Sequence, residues 1–298
     1  MVSREAQAAI DGMFAQKAAK KAAGSPSAEE TVKIRDMLSE RMSAVPVPEV
    51  IRIEEISDGD VKGEWHHYTG PDKDHEHVLL FAFGGGFETG SVISRRNVCA
   101  NICKYGKFDA FAVSYSQWPE HRHPAALLDC LTAFFWLTRK KGYDPKKVRM
   151  FGESAGAILT LTTMLWLKDH GFETPERVSV FSPVVDLTGE DTPSHIENID
   201  RDPMLTSASD VRFFTEEDKR SPYAAAKYGD FTGFPKILVN LGTEELLFDD
   251  SMLLKKLCEE AGVDITVKAW EGMFHSFCIF PCPETEQVSE EIGRFLAE

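Results

Sequence analysis

Short apolar runs alternate with helix-like segments over most of the chain, and this alternation restricts its fold more than any other feature. The runs contain β-branched or aromatic residues and are bounded by turn residues, as strands are. They are VLLFAF (78–83), DAFAVSY (109–115), VRMFG (148–152), RVSVFS (177–182), KILVNLG (236–242) and DITVKAW (264–270). Helices are predicted between most of them, at 94–105, 123–141, 155–170, 249–261 and 284–296. This order predicts an α/β fold, with a mostly parallel sheet between two layers of helices.

The segments outside this alternation predict a cap over the sheet. Residues 3–21 and 27–43 are rich in Ala, Glu, Lys and Met and are predicted helices, and an antiparallel strand pair joined by the turn SDGD follows them. An acidic, partly helical insertion without a clear strand separates Val184 from Pro235. The predicted parts are an N-terminal helical cap segment (1–45), an α/β core (46–185 and 222–298) and a cap insertion (186–221).

The net charge and the hydropathy of the chain argue against nucleic acids and membranes as partners. A net charge of −15 argues against nucleic acid and against an anionic membrane surface. No apolar segment reaches the roughly 18–20 residues of a membrane helix. Charges also occupy the N-terminal stretch where a signal peptide has its apolar core, so we expect a cytoplasmic protein without integral membrane contact.

The six cysteines form neither a CxxC pair nor a zinc-binding spacing. We therefore expect free thiols, no metal and no cofactor. Cys278 and Cys282 follow a candidate catalytic histidine closely, which leaves a redox or metal role for them as an alternative.

The sequence VRMFGESAGAILTL places Ser154 in a G-x-S-x-G motif between a predicted strand and a predicted helix. A serine on such a turn needs small neighbours and presents its hydroxyl above the sheet. The alternative is a tight turn with Ser154 as a helix cap. The context favours a nucleophile, which needs a base to take its proton and an acid to hold that base.

His275 is the histidine that follows the last predicted strand, so it should lie at the sheet edge where Ser154 emerges. The acid should leave the same edge, and GTEELLFDDS follows the preceding strand. Asp249 and Asp250 stand where a helix begins, so capping explains them economically. Glu245 lies in the loop itself and is preferred over Asp249.

The run LLFAFGGGFETGS supplies the remaining part of an acyl-transfer site. Attack on an ester carbonyl creates an oxyanion, which needs backbone N–H donors arranged in advance. Glycines allow a loop to bring such groups close, so Gly85 and Gly86, with the amide of Ala155, are the predicted donors. A phosphate loop is disfavoured because neither a GxGxxG spacing nor a GK[ST] sequence occurs.

The ordered segments FGGGFETGS, SYSQWPEHRHPAALLDC, GESAG, GTEELLFDDS and GMFHSF resemble the hormone-sensitive-lipase-like branch of the α/β-hydrolases, in particular its small bacterial esterases and acetylhydrolases. The resemblance implies an α/β-hydrolase fold with a helical cap. It implies Ser154 as nucleophile, His275 as base and Glu245 as acid, and it matches Tyr115 and Asp129 to framework positions. Members of this branch often pair, so a homodimer is left open.

This chain departs from the family pattern at Phe83, which stands where the family has the histidine of HGGG. That histidine is thought to brace the oxyanion loop through hydrogen bonds that a phenylalanine cannot form. Ring packing is the alternative brace, and weakened or redirected catalysis is expected. Phe83, Phe87 and Trp118 are candidate pocket residues.

The leading hypothesis is a serine carboxylesterase that hydrolyses short-chain, small-molecule acyl esters through an acyl-enzyme. A lactonase or an aryl-amide or formamide hydrolase with the same triad is the first alternative. A non-catalytic ligand receptor on this scaffold is the second, and the presence of all three triad residues disfavours it.

Overall fold

The computed structural model of the chain describes residues 2–207 and 211–298. A single eight-stranded sheet lies at its centre. The strands are β1 (Ile51–Asp58), β2 (Val61–Tyr68), β3 (Val78–Ala82), β4 (Asp109–Val113), β5 (Val148–Glu153), β6 (Arg177–Phe181), β7 (Lys236–Gly242) and β8 (Ile265–Trp270). The helices are α1 (Arg4–Ala23), α2 (Ala28–Ser43), α3 (Arg96–Gly106), α4 (Ala125–Phe135), α5 (Ala155–Asp169), α6 (Ser194–Glu197), α7 (Phe248–Glu260) and α8 (Pro283–Ala297).

The strand order across the sheet is β1-β2-β4-β3-β5-β6-β7-β8. Strand β2 runs antiparallel to both of its neighbours, β1 and β4, and all pairs from β4 to β8 are parallel. The predicted mostly parallel sheet and the antiparallel pair before it are therefore confirmed. Every residue of β3, β4 and β5 is buried, because helices cover the sheet on both faces.

Strand β3 pairs with β4 on one side and with β5 on the other, so the direction of winding changes there. In open α/β sheets, the loops at the carboxyl ends of the strands form a crevice at this switch point. Ala82 of β3 lies opposite Gly152 of β5. The glycine loop after β3 and the G-x-S-x-G turn after β5 therefore leave the sheet side by side.

One predicted helix differs from the structure, and the insertion is partly helical as predicted. The helix predicted over 123–141 is α4 followed by a π-helical turn at Trp136–Lys140. In the described part of the insertion, the short α6 and a 3-10 turn at Asp218–Arg220 are the helical elements. Carboxylates such as those of Asp202 and Asp218 accept nearby backbone amides there, and such local bonds compete with helix formation. Residues 208–210 of this insertion lie outside the described residues.

The N-terminal region and the insertion contact each other. Lys17 of α1 donates hydrogen bonds to the backbone carbonyls of Ile199 and Asp202, and Arg212 donates to the carbonyl of Pro26 just before α2. The division of the chain into a core and a cap stays a prediction. Across residues 2–207 and 211–298, no helix combines the length and the apolar character needed to cross a membrane.

Candidate active site

Ser154 lies on a sharp turn between β5 and α5, in a backbone conformation with φ 53° and ψ −118°. L-residues rarely adopt this conformation, and such strain persists only where the surroundings fix it. The flanking glycines permit the turn. A Cβ on Gly152 would lie 2.1 Å from the carbonyl oxygen of Gly156, and a Cβ on Gly156 would lie 1.9 Å from that of Ala82. The spacing of the G-x-S-x-G motif thus reflects tight packing of strand, turn and helix.

The structure brings Ser154, His275 and Glu245 together. His275 Nε2 lies 2.9 Å from Ser154 Oγ, and His275 Nδ1 lies 2.9 Å from Glu245 Oε2. The other oxygen of Glu245 accepts hydrogen bonds from the Gly242 amide at 2.7 Å and the Ser182 hydroxyl at 3.2 Å. Glu245 follows β7 and His275 follows β8, so loops from neighbouring strands supply the pair.

The charge of Glu245 stabilises the protonated form of the His275 imidazole. Burial lowers the pKa of His275, but the hydrogen bond and the charge of Glu245 raise it more, and Asp202 and Glu153 add to the rise. The net pKa of His275 therefore lies above its ordinary value of 6.5. Burial raises the pKa of Glu245, and its bond to His275 opposes this rise. Both side chains are almost fully buried, so water screens their interaction little.

The glycine loop presents backbone amides near Ser154. Gly85 and Gly86 adopt positive φ of 128° and 63°, which favour glycine, and a Cβ on Gly85 would meet the Gly90 amide nitrogen at 2.3 Å. Within the described residues, the amides of Gly85, Gly86 and Ala155 donate to no protein acceptor. By contrast, the amide of Gly84 donates to Glu153 at 2.9 Å. The three amides predicted as oxyanion donors are thus available to a ligand.

Phe83 is held by Tyr115. The two rings stack with centroids 4.1 Å apart, and the Tyr115 hydroxyl donates a 2.6 Å hydrogen bond to the Phe83 backbone carbonyl. Asp129 accepts the amide of Ser116, the residue after Tyr115, at 2.6 Å. Ring stacking and the Tyr115 hydrogen bond to the main chain therefore hold the start of the glycine loop. The Phe83 side chain itself has no polar atom that could do so.

The candidate pocket residues lie in different surroundings. Phe83 and Phe87 are 1% and 0% exposed, so neither ring reaches solvent in this structure. Phe87 stacks on Phe213 at 4.7 Å, and Phe214 packs edge-on against both rings. Trp118 is half-buried. Phe87 thus joins the glycine loop to the insertion, and the role of these residues as pocket walls stays a prediction.

An ion pair between Glu88, the residue after Phe87, and Arg212 also joins the glycine loop to the insertion. Arg212 Nε and Nη2 lie 2.9 and 2.6 Å from the two carboxylate oxygens of Glu88, and the guanidinium lies 3.8 Å from the centre of the Trp118 ring. Arg35 of α2 donates to the backbone carbonyls of Glu88 and Trp118. Segments from both predicted cap regions therefore hold the loop that carries Gly85 and Gly86.

Asp249 and Asp250 lie in the first turn of α7, but neither side chain caps that helix. Asp249 accepts the amide of Ser194 at 2.7 Å. Asp250 accepts the amides of Val185 and Asp186 and pairs with His195 Nε2 at 2.6 Å. The capping interpretation is therefore wrong, because loops of the insertion fold back onto α7 and use both carboxylates.

Cys278 and Cys282 are buried free thiols. Burial raises the pKa of both, so both remain protonated at neutral pH. No group of three or more His, Cys, Asp or Glu side chains in residues 2–207 and 211–298 has the geometry of a metal site.

Three charged residues near the site escaped the sequence analysis. Glu153 and Arg95 form a buried ion pair at 2.7 Å. Asp202 accepts the amide of Leu246, the residue after Glu245. An acidic residue at the end of a fully buried strand, directly before the candidate nucleophile, was the available indication for Glu153. Nothing in the sequence marks the other two, because their partners are remote along the chain.

Comparisons with known proteins place the chain in a family. The α/β-hydrolase fold family matches residues 79–279. An acetyl-hydrolase of Streptomyces hygroscopicus is 31% identical over 259 residues, which span 85% of this chain and 83% of that protein. The structure of an esterase from the bacterial hormone-sensitive lipase family is similar with a TM-score of 0.86 and 27% identity, over 100% of this chain and 99% of that one. The structure of EstE5 soaked with p-nitrophenyl butyrate has a TM-score of 0.80 and 27% identity, over 91% and 98% of the two chains.

Proposed function

Because this chain belongs to the hormone-sensitive-lipase-like branch of the α/β-hydrolase fold family and is a carboxylic ester hydrolase, we propose that it hydrolyses short-chain acyl esters through an acyl-enzyme on Ser154. The observation that carries the proposal is the pair of 2.9 Å contacts that His275 makes with Ser154 and with Glu245. A serine becomes a nucleophile when an oriented imidazole can take its proton.

In the proposed reaction, Ser154 Oγ attacks the ester carbonyl carbon while His275 Nε2 accepts the hydroxyl proton. The negative charge that forms on the carbonyl oxygen accepts hydrogen bonds from the amides of Gly85, Gly86 and Ala155. The imidazolium, stabilised by Glu245, then gives its proton to the leaving alkoxide oxygen as the C–O bond breaks. A water molecule attacks the acyl carbon with His275 again as base, which releases the acid and restores the Ser154 hydroxyl.

The preference for short acyl chains rests on the surroundings of the glycine loop. Phe87, Phe213 and Phe214 fill the space directly beside it, and Arg212 covers a face of Trp118. We infer a preference for small acyl groups because this buried aromatic cluster occupies the space beside the loop that carries the proposed oxyanion donors. The acetyl-hydrolase and the EstE5 structure soaked with a butyrate ester support the same substrate class.

A panel of p-nitrophenyl esters from acetate to palmitate tests the proposal. We expect kcat/KM to be highest for the short chains and to fall by at least about 10⁴-fold in Ser154→Ala. Ser114→Ala is the matched control, since Ser114 is exposed at the end of β4 and should leave turnover unchanged. An organophosphate should label Ser154 in the wild type, as shown by mass spectrometry of the modified peptide.

The same assay separates the alternatives. Faster turnover of lactones or aryl formamides than of short esters, still dependent on Ser154, would overturn the substrate class but keep the triad. Absence of both turnover and labelling would overturn the catalytic proposal and favour a ligand receptor.

A further inference from the structure

Glu153 is a fully buried carboxylate at the end of β5, directly before Ser154, and the reaction proposed above does not use it. Charged side chains are almost never fully buried unless they are paired. A carboxylate in this position is costly to desolvate, so its contacts indicate what it does.

The first oxygen of Glu153 holds the glycine loop. Oε1 accepts the amide of Gly84 at 2.9 Å and Nε of Arg95 at 2.7 Å. A Cβ on Gly84 would lie 2.4 to 2.5 Å from the carboxyl atoms of Glu153, so any side chain there would collide with it. The first glycine of the loop therefore serves to seat the loop on Glu153, and the next two present their amides.

The second oxygen of Glu153 holds the loop that carries the base. Oε2 accepts the hydroxyl of Ser276 at 2.6 Å, and Ser276 Oγ also lies 3.2 Å from His275 Nε2. A hydroxyl has one proton, and Ser276 gives that proton to Glu153. The lone pairs of Ser276 Oγ are consequently left to accept from His275 once Nε2 carries a proton.

We propose that Glu153 is a positioning residue that seats the oxyanion loop through Gly84 and aims the Ser276 oxygen at the imidazolium of His275. This inference rests on the proposed esterase function and adds two positioning residues to it. The Ser276 hydroxyl accepts an Nε2–H hydrogen bond while His275 is protonated. It releases that bond when the proton passes to the leaving alcohol.

The charges around the pair fit this role. Burial raises the pKa of Glu153, but the charge of Arg95 and the bonds from Ser276 and Arg95 lower it more, so the carboxylate is ionised. His275 faces three carboxylates, those of Glu245, Asp202 and Glu153, and Arg95 is the cation that faces Glu153. The neighbouring Tyr115 and Cys278 are neutral, since burial raises the pKa of both.

Two substitutions test the positioning role with a short-chain p-nitrophenyl ester. Glu153→Gln keeps the shape but removes the charge, and Ser276→Ala removes the oxygen that faces His275. We expect each to lower kcat about 10- to 100-fold, with KM changed less than about 3-fold, because the lost contacts act mainly in the transition state. The double variant should be no slower than the slower single variant, since both act through one chain of contacts.

Glu64→Gln is the matched control. Glu64 is likewise a buried carboxylate paired with an arginine, Arg96, but it lies on β2 away from Ser154. We expect it to lose stability as Glu153→Gln does, while kcat stays at the wild-type level. Equal kcat losses in the two variants would overturn the proposal, as would an unchanged kcat in Ser276→Ala. Because Ser276→Ala leaves the Glu153–Arg95 pair intact, it remains decisive if Glu153→Gln does not fold.

A measurement without substrate separates this inference from the esterase proposal. The His275 proton shared with Glu245 should give a downfield ¹H NMR resonance whose pH titration reports the His275 pKa. Glu153→Gln and Ser276→Ala should each shift the midpoint to lower pH, because each removes a group that stabilises the imidazolium. An unchanged midpoint in both variants overturns the positioning role. Absence of ester turnover in the wild type, with this shift intact, overturns the esterase proposal alone.

Discussion

The phenol of Tyr115 donates a 2.6 Å hydrogen bond to the carbonyl of Phe83 while its ring stacks on the Phe83 ring at 4.1 Å. One tyrosine thus holds both the main chain and the side chain of the residue that begins the glycine loop. Burial raises the pKa of this phenol well above its ordinary value, so it stays a donor throughout the working pH range. Aromatic stacking thus holds the loop at the position where the sequence comparison with HGGG leads one to expect a polar brace.

Loss of the Phe83 ring should affect turnover as well as stability. We expect Phe83→Leu to lower the free energy of unfolding by about 1–3 kcal/mol, because it leaves a void against Tyr115. It should also lower kcat, since the glycine loop begins at this residue. Phe81→Leu is the control, because Phe81 lies in β3, stacks on Phe151 and is equally buried. Urea unfolding and ester kinetics for the two variants check this, and equal kcat values would contradict it.

Restoring the family histidine should not improve the enzyme. Phe83→His would place an imidazole where the Phe83 ring now packs against Tyr115 with 1% exposure. Burying a polar ring without partners costs about 1–3 kcal/mol, so stability and turnover should both fall. The measurement is kcat for p-nitrophenyl acetate beside the urea midpoint. A rise in kcat would show that the histidine was merely missing.

Glu245→Gln should disable the base by fixing the wrong tautomer. Gly242 and Ser182 both donate to Glu245 Oε1, so the amide oxygen must take that position and the NH₂ group must face His275 Nδ1. Nδ1 then accepts, and the ring proton moves to Nε2, which can no longer take the Ser154 proton. We expect kcat to fall about 10³- to 10⁴-fold.

The adjacent residue provides the control for that loss. Glu244 pairs with Arg201 at the surface, at 2.8 and 2.9 Å. Glu244→Gln should keep kcat within about 2-fold of the wild type, as removal of a surface ion pair has little effect. A similar loss of kcat in Glu244→Gln and Glu245→Gln would contradict the assignment of Glu245 as the catalytic acid.

The acid limb of the pH–rate profile should lie higher than that of an unperturbed histidine. The proposed mechanism needs neutral His275, and although burial lowers the pKa of His275, Glu245 raises it above its ordinary value of 6.5. As pH falls through this raised pKa, His275 becomes protonated and activity is lost. We expect the acid midpoint of kcat/KM, which reports the free enzyme, to lie above 6.5. A midpoint at or below 6.5, measured with substrates of two different leaving groups, would refute this electrostatic account.

The Glu88–Arg212 pair should couple the insertion to the oxyanion loop. We expect Glu88→Gln to cost about 1–3 kcal/mol of unfolding free energy, because it removes the carboxylate from a partly buried guanidinium. It should lower kcat as well, since Glu88 lies two residues from Gly86. Glu120→Gln is the control, because the Glu120 carboxylate is more exposed than that of Glu88 and reaches the loop only through Arg35. If Glu88→Gln and Glu120→Gln have equal kcat values, the predicted coupling between the insertion and the oxyanion loop is wrong.

Much of the fold was predictable because the alternation of strands and helices is a local property of the sequence. The predicted ends of the strands between Val78 and Trp270 lie within one or two residues of those in the structure. Ser154 and His275 could be proposed as partners because each follows a strand of one parallel sheet, whose carboxyl ends share an edge. The same rule favoured Glu245 over Asp249, as it stands in the loop rather than in the helix.

The remaining features depend on contacts between distant parts of the chain. Glu153 meets Ser276 across 123 residues, and Phe87 meets Phe213 only after the insertion folds over the loop. The positions of Asp249 and Asp250 predicted helix caps, yet both carboxylates bind residues of the insertion, Ser194 and His195. Local propensity cannot reveal such pairings, since each is decided by tertiary packing.

The direct pairing of β3 with β5 puts the proposed oxyanion donors and the proposed nucleophile on neighbouring strands, with Ala82 beside Gly152. Groups from the predicted cap regions contact the glycine loop after β3: Arg35 of α2 donates to the Glu88 carbonyl, Arg212 pairs with Glu88, and Phe213 stacks on Phe87. Parts of the chain predicted to form a cap therefore help to hold the glycine loop. Directed evolution that randomises the surroundings of Phe213 and Phe214 but keeps Arg35 and Arg212 should therefore change substrate choice while the contacts of His275 with Ser154 and Glu245 remain.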